Sequence, residues 1–155
     1  MLAQALHAIA AFQREIAVDD PEISIREAYE LPPHGNQALK LPCFINEPSG
    51  LPQVNLSNTM RQRIYTIHSR LYLAPSNDAR SVSFTEELMA LDQAFQDAFV
   101  LSTKLGEGAY QIFNLIGDDP WFGVQEWNGQ PYSGLSYFFD LRIHEVVTVG
   151  VGAGV

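Results

Sequence analysis

Two long segments in which apolar and polar residues alternate constrain the fold of this chain more than any other feature. The first is RQRIYTIHSRLYLAP, residues 61–75, and the second is YSGLSYFFDLRIHEVV, residues 132–147. Because successive side chains of a strand point to opposite faces, each segment predicts a β-strand with one buried and one solvated side. The polar side of the second strand carries Asp140, Arg142 and His144.

Two further segments have helical periodicity. Residues 2–17 predict an amphipathic helix whose stripe includes a glutamine, and the stripe consists of Leu2, Leu6, Ile9, Phe12, Gln13 and Ile16. The second helix is predicted to begin at the capping box formed by Ser83 and Glu86, to run to about Lys104 and to stop at Gly106. Its apolar stripe consists of Leu88, Leu91, Phe95 and Phe99.

The region between the first helix and the 61–75 strand is rich in proline. ISIREAYEL, residues 23–31, predicts a short strand, and LPCFINEP, residues 41–48, predicts a brief edge strand. Five prolines between residues 31 and 60 interrupt regular structure, because proline lacks the N–H that a sheet requires. Residues 49–59 are therefore predicted to form a protruding hairpin or loop, longer than a simple connection needs.

The last third of the chain predicts a three-stranded antiparallel meander. Residues 117–120 (Gly-Asp-Asp-Pro) and residues 128–129 (Asn-Gly) are turn signals at hairpin spacing, and they separate three alternating segments. The whole pattern predicts an α+β fold with two helices packed on one face of a mainly antiparallel sheet and a long protruding Pro-rich loop. Residues 1–148 are expected to form a single domain, and the glycine-rich residues 149–155 a flexible tail.

The charge of the chain restricts its partners. Eighteen acidic and nine basic side chains give a formal charge of −9, which disfavours sequence-reading contact with nucleic acid and attraction to anionic lipid. No apolar run approaches the roughly 20 residues that a membrane-spanning helix needs. The single cysteine, Cys43, excludes an internal disulfide and a zinc site built from several thiolates.

Few residues suggest catalytic chemistry. His68 and His144 lie on the polar sides of the two long predicted strands, so neighbouring strands could bring them together as metal ligands or as an acid/base pair. Solvent-facing or interface histidines are the simpler interpretation. Ser136 in GLSYF lacks the glycine that a nucleophile elbow carries two residues after the serine, because Phe138 stands there. Asp118 and Asp119 are interpreted as ordinary turn residues.

Two other groups of residues admit both a structural and a functional interpretation. The aromatic side chains of the meander, Trp121, Phe122 and Trp127, are interpreted as core or subunit-interface residues rather than as a ligand platform. The second helix carries acidic residues away from its apolar stripe, and they are Glu86, Glu87, Asp92 and Asp97. They form either a simple solvated face or, in a ring assembly, the wall of a channel that DNA passes through.

The order of these elements resembles the tail terminator (tail completion) proteins of long-tailed bacteriophages. The resemblance rests on the opening helix ALHAIAAFQREI, the Pro-bounded LPCFINEP, the strand RQRIYTIHSRLYL before a helix, and the closing YSGLSYFFDLRIHEV. It covers residues 2–148, and none of its motifs is catalytic. It implies a virion protein without enzymatic activity or cofactor, which assembles into a ring, typically a hexamer, at the interface between head and tail.

The resemblance also implies partners and a surface for them. Such a ring caps the tail tube, stops its polymerisation and joins it to the head-side connector, with DNA passing through the lumen. The hairpin or loop at residues 48–60 is predicted to contact the tube or a neighbouring subunit, and Arg61, Arg63 and Arg70 are predicted to pair with acids across the ring. The predicted interface residues are Asn55, Asn58, Arg61, Arg63, Arg70, Asp140, Arg142 and His144.

Three alternatives remain open at the level of sequence. The first is another component of a phage neck, such as a head-closure subunit. The second is a small hydrolase or metal-dependent enzyme that uses His68 and His144. The third is a monomeric binding module that uses the aromatic residues of the meander.

Overall fold

Over the residues that it describes, the computed structural model of the protein shows a mixed α+β fold with two helices and one curled six-stranded sheet. The structure describes residues 1–16, 24–34, 37–57, 60–77, 84–105 and 109–146. The helices are α1 (Leu2–Arg14) and α2 (Phe84–Leu101). The strands are β1 (Glu27–Tyr29), β2 (Cys43–Leu56), β3 (Met60–Pro75), β4 (Lys104–Leu105), β5 (Tyr110–Trp127) and β6 (Gln130–Val146).

The two segments with alternating patterns form the centre of the sheet. The strand order is β1-β2-β3-β6-β5-β4, with β1 parallel to β2 and all other neighbours antiparallel. β3 and β6 pair without interruption from Met60 opposite Val146 to Tyr72 opposite Gly134. This unbroken register fixes which side chains of the two strands share a face.

The main core contains the apolar stripes of both helices together with alternate residues of the central strands. Ile67 and Leu71 of β3 lie in the same cluster as Phe139 and Leu141 of β6, and all four are buried. The helical stripes were predicted correctly, because Leu6, Ile9, Phe12, Leu88, Leu91, Phe95 and Phe99 are buried in this cluster. Amphipathic helices and half-buried strands thus cover each other's apolar surface.

The buried glutamine of α1 joins the helix to the sheet by hydrogen bonds. The Gln13 side-chain amide donates to Asn46 Oδ1 over 2.9 Å and to Ser69 Oγ over 2.8 Å, and Asn46 Nδ2 donates back to Gln13 Oε1 over 2.7 Å. Asn46 Nδ2 also donates to the carbonyl of Tyr29. Gln13, Asn46 and Ser69 have no solvent exposure, so mutual hydrogen bonding offsets the cost of removing these polar groups from water.

A smaller apolar cluster lies on the side of the sheet opposite Leu71. Its buried members are Cys43, Ile45 and Tyr72, and Trp127 and Tyr132 pack against it. Burial raises the pKa of the Cys43 thiol to about 12. The thiol therefore remains protonated and unreactive at neutral pH.

The proline-rich segment contains much more strand than the sequence suggested. β2 continues through Pro48 and Pro52 to Leu56, where a brief edge strand and then a hairpin or loop were predicted. β1 reaches only Ile45, so β3 is the only strand that pairs with β2 from Asn46 onward in the described part of the chain. Proline is tolerated there because an edge strand need not donate an N–H on its open side.

The outer half of β2 is an exposed edge of the sheet, which we define as the arm (residues 49–57). The neighbouring residues 60–64 of β3 pair with β6 on their other side. Val54 pairs with Arg63 and Leu56 with Arg61. Every residue from 50 to 57 is exposed, and the side chain of Leu51 is 92% exposed. A stretch with so little buried surface contributes nothing to the core of the chain.

The predicted meander has two long strands instead of three short ones. Residues 117–120 do not form a hairpin turn but lie inside β5, where the register shifts between Gly117 and Phe122. The second turn signal was interpreted correctly, since Trp127 pairs with Gln130 around the turn. Asn128 and Gly129 have φ values of 51° and 78°, the left-handed values that a two-residue type I′ turn requires.

The ends of the other elements differ from the predictions. α1 ends at Arg14 instead of residue 17, and α2 ends at Leu101 instead of Lys104, which belongs to β4. The strand predicted over residues 23–31 is formed only from Glu27 to Tyr29. The capping serine, the stop glycine at 106 and the glycine-rich residues 149–155 lie outside the described residues.

Candidate functional site

The residues predicted to form an interface lie on both faces of the sheet. Because side chains alternate along β3, Arg61 and Arg63 share the face of Ile67, whereas Arg70 lies on the opposite face. The β6 residues Asp140, Arg142 and His144 lie on the face of Arg70, by the same register. Asn55 is exposed on the arm, and Asn58 lies outside the described residues.

Several of these side chains have partners within their own chain. Arg61 donates to Glu145 over 3.4 Å, although it was predicted to pair with an acid across a ring. Arg142 donates to Gln111 over 3.1 Å and lies 4.7 Å above the ring of Phe113. Two more of these contacts join neighbouring strands, between Asp140 and Asn114 and between His144 and Gln62.

The two histidines proposed as an acid/base or metal pair are far apart. His68 pairs with Phe138 and His144 pairs with Gln62, so six positions along β3 separate them. At about 3.3 Å per residue this separation is about 20 Å, too far for shared chemistry. The other two described histidines, His7 and His34, are exposed, and His7 contacts Glu30 over 2.5 Å.

A compact polar cluster surrounds His68 instead. His68 Nε2 lies 2.8 Å from Ser136 Oγ and 3.1 Å from Asp118 Oδ2, and Ser136 Oγ donates to the same Asp118 oxygen over 2.9 Å. Arg70 Nη2 lies 3.1 Å from His68 Nδ1, and the ring of Phe138 stacks on the imidazole at 4.3 Å. Asp118 belongs to the stretch of β5 where the register shifts. Its contacts with His68 and Ser136 connect this stretch to β3 and β6.

The electrostatics of this cluster favour a neutral imidazole beside a charged carboxylate. Burial and the neighbouring guanidinium of Arg70 lower the pKa of His68, although Asp118 opposes them. Burial raises the pKa of Asp118, but hydrogen bonds from the Asp119 N–H and Ser136 outweigh it, and the net pKa is lowered. Arg70 contacts both ring nitrogens, because its Nη2 lies 3.1 Å from Nδ1 and its Nε donates to Nε2 over 3.3 Å. Ser136 and Asp118 both lie on the Nε2 side of the ring.

This arrangement, with the serine and the carboxylate at the same ring nitrogen, differs from what a serine nucleophile needs. In such a site the histidine accepts the hydroxyl proton, and the carboxylate binds the other ring nitrogen. Here the Ser136 hydroxyl donates to Asp118, and Ser136 has no solvent exposure. The cavity beside His68 and Arg70 measures about 20 Å³, room for little more than one water molecule. The cluster is therefore suited to holding the irregular stretch of β5 against the sheet.

The neutral state of His68 makes stability depend on pH. A histidine whose pKa is lower in the folded state binds fewer protons there than in the unfolded chain, so stability is complete above the ordinary pKa of 6.5 and falls as the pH drops below it. Below that pKa the free energy of unfolding of the wild type should fall by up to about 1.4 kcal/mol for each pH unit. The His68→Asn variant should lack this fall. Urea unfolding between about pH 7 and about pH 5.5, on either side of the ordinary histidine pKa, measures it.

The matched control for this prediction is His144→Asn, which changes an exposed histidine on the same face of the sheet. It should leave the wild-type slope of stability against pH intact. Asp118 does not interfere in this window, because its lowered pKa places its titration below 3.8. Equal slopes in wild type and His68→Asn would contradict the assignment of a neutral imidazole.

A second concave site lies between α2 and β5. It is a cleft of about 380 Å³, which we define by its lining residues Gln96, Leu115, Gly117, Trp121 and Tyr137. Asp92 forms its acidic edge, because it accepts hydrogen bonds from Tyr137 Oη and from Gln96 over 2.9 Å. Burial and the nearby Asp92 raise the pKa of Tyr137, so its hydroxyl stays protonated and donates.

The aromatic residues of the last third have different environments. Trp127 packs in the smaller apolar cluster, as a core interpretation predicts. Trp121 is 43% exposed at the mouth of the cleft and meets Phe122 edge-on. The cleft and the cluster around His68 were not predicted from the sequence, because both depend on the irregular stretch of β5, which was predicted to be a turn. Asp118 two residues before a proline was the one available signal.

Comparisons with known proteins do not assign this chain to a family. Neither a protein-family model nor a curated protein matches the sequence. Among the described residues, no group of three or more His, Cys, Asp or Glu side chains is arranged to hold a metal ion. No helix in that part of the chain has the length and apolar character needed to cross a membrane.

Proposed function

We propose that this protein is a structural subunit of a phage virion that resembles tail terminators and assembles into a ring, typically a hexamer. The ring caps the tail tube, stops its polymerisation and joins it to the head-side connector. The single observation that carries the proposal is the arm. A subunit that exposes the apolar side chains of Leu51, Val54 and Leu56 along an edge of its sheet presents a surface suited to another protein.

The rest of the fold supports the same proposal. Phe12 of α1, Phe95 of α2 and Tyr137 of β6 meet in one core, which favours the predicted arrangement of both helices on one face of the sheet. The opposite face and the arm then remain for contacts with other subunits.

The geometry gives less support to the alternatives. An enzyme that uses His68 and His144 together would need them within contact distance, and about 20 Å separates them along the strands. Another subunit of the phage neck would also expose an arm, and it differs from a terminator in what it binds. Capping of the tail tube is therefore the property that decides between these two proposals.

Electron microscopy of the purified protein, together with light scattering after size-exclusion chromatography, tests ring formation. We expect closed rings of one subunit number. Leu51→Asp should abolish them, because it places a charge on the fully exposed part of the arm. Val124→Asp is the matched control, since Val124 is 56% exposed on β5 and far from the arm. A wild-type protein that stays monomeric at all concentrations, or rings that survive Leu51→Asp, would contradict the proposal.

A further inference from the structure

Two surfaces of this chain are complementary to each other but cannot meet within one molecule. One is the arm, and the other is the cleft between α2 and β5. Tyr137 of the cleft pairs with Ser69, and Leu56 of the arm pairs with Arg61, so the stretch from Arg61 to Ser69 separates them. At about 3.3 Å per residue this separation is about 26 Å. Any contact between them must join two copies.

The charges of the two surfaces are opposite. The arm contains no acidic residue, and on the neighbouring strand Arg63 lies opposite Val54 and Arg61 pairs with Glu145 of its own chain. α2, which borders the cleft, carries Glu86, Glu87, Asp92 and Asp97 and no basic residue. Arg63 beside the arm and the acidic side chains of α2 therefore attract each other between copies.

The apolar parts of the two surfaces also match. Val54 and Leu56 lie on the same face of the sheet as Arg61 and Arg63, because Val54 pairs with Arg63 and Leu56 with Arg61. The cleft offers the exposed ring of Trp121 and the side chain of Leu115 beside the acidic edge at Asp92. An exposed tryptophan next to a carboxylate is suited to bind a partner surface on which aliphatic and guanidinium groups lie side by side.

We propose that the arm of one subunit docks in the cleft between α2 and β5 of a second copy of this chain. Leu51, Val54 and Leu56 contact Trp121 and Leu115, and Arg63 faces the acids of α2. The contact joins two different patches, so it is heterologous and repeats from copy to copy until the assembly closes. The inference rests on the proposed ring, and it names the two surfaces that build it.

Disulfide trapping with introduced cysteines tests this contact directly. The variant Leu56→Cys/Gln96→Cys places one thiol on the arm and one on the exposed rim of the cleft, while buried Cys43 stays unreactive. On oxidation we expect covalent oligomers in which mass spectrometry finds residue 56 linked to residue 96 of another copy. Leu56→Cys/Leu31→Cys is the control, because Leu31 is exposed outside the cleft and should form no link to residue 56.

A charge variant tests the same contact without cysteines. Arg63→Glu should weaken self-association at least about tenfold, a factor that corresponds to about 1.4 kcal/mol. Combining it with Asp97→Arg should restore part of the loss. Sedimentation velocity measures both, and unchanged association in the single variant counts against the docking.

The outcomes separate this inference from the proposed function. Folded double-cysteine protein that gives no 56–96 link overturns the docking, even if rings are seen. Open chains joined by 56–96 links support the docking and contradict the ring. Closed, 56–96-linked rings support both.

Discussion

Gly134→Ala will strongly destabilise this protein. Gly134 lies in the centre of the sheet between Tyr72 and Gly123, and an added Cβ would lie 2.1 Å from the backbone oxygen of Leu71. That oxygen belongs to a paired strand and cannot move aside as a flexible side chain would. We expect a loss of more than about 3 kcal/mol in the free energy of unfolding, at or beyond the upper end of ordinary overpacking.

Chemical unfolding followed by circular dichroism measures this loss, and Gly50→Ala provides the control. Gly50 lies in the arm at φ 70° with open space around it, so alanine there meets only backbone strain. That strain costs roughly 1–2 kcal/mol. If both alanine variants lost the same small amount of unfolding free energy, that result would contradict the close approach of β3 and β6 at Gly134.

Phe95→Ala is the second substitution with a large expected effect. Phe95 is 1% exposed, and its ring lies 5.4 Å from that of Phe44, 4.7 Å from that of Tyr137 and 6.1 Å from that of Phe99. Removing it leaves a cavity where α2 meets both the sheet and α1. We expect a loss of about 3–5 kcal/mol in the free energy of unfolding.

Met89→Ala on the same helix is the matched control, because Met89 is 60% exposed. A surface change of this kind alters stability by less than about 0.5 kcal/mol. Differential scanning calorimetry of the two variants should therefore show a large fall in melting temperature only for Phe95→Ala. Similar melting temperatures would mean that the two helices do not meet the sheet through this ring.

The parts of the fold that the sequence predicted are those in which one face of an element is buried. The stripe of α2 and the alternation of β3 identify the core residues, because burial on one side imposes a period on the sequence. Gln13 also followed the helical stripe, although its hydrogen-bond partners Asn46 and Ser69 come from distant parts of the chain. No local pattern reveals such a network.

The errors arose where proline and aspartate were interpreted by their usual local preferences. Pro48 and Pro52 stand within β2, because an edge strand tolerates a missing donor. Asp118 stands within β5, because His68 and Ser136 bind its carboxylate. In each case the position of the residue in the tertiary structure outweighed its local preference, and both candidate surfaces depend on such positions.

The pairing of the two central strands has a consequence for the rate at which the protein folds. The bond between Arg61 and Glu145 joins residues 84 positions apart, whereas the hairpins β2–β3 and β5–β6 each connect strands that follow one another directly. Closing a long stretch of chain costs entropy before any contact repays it, and sheets built on distant pairings fold in about milliseconds to seconds. The two hairpins can therefore form early, and the joining of β3 to β6 determines how long the chain exposes unpaired strand edges during synthesis.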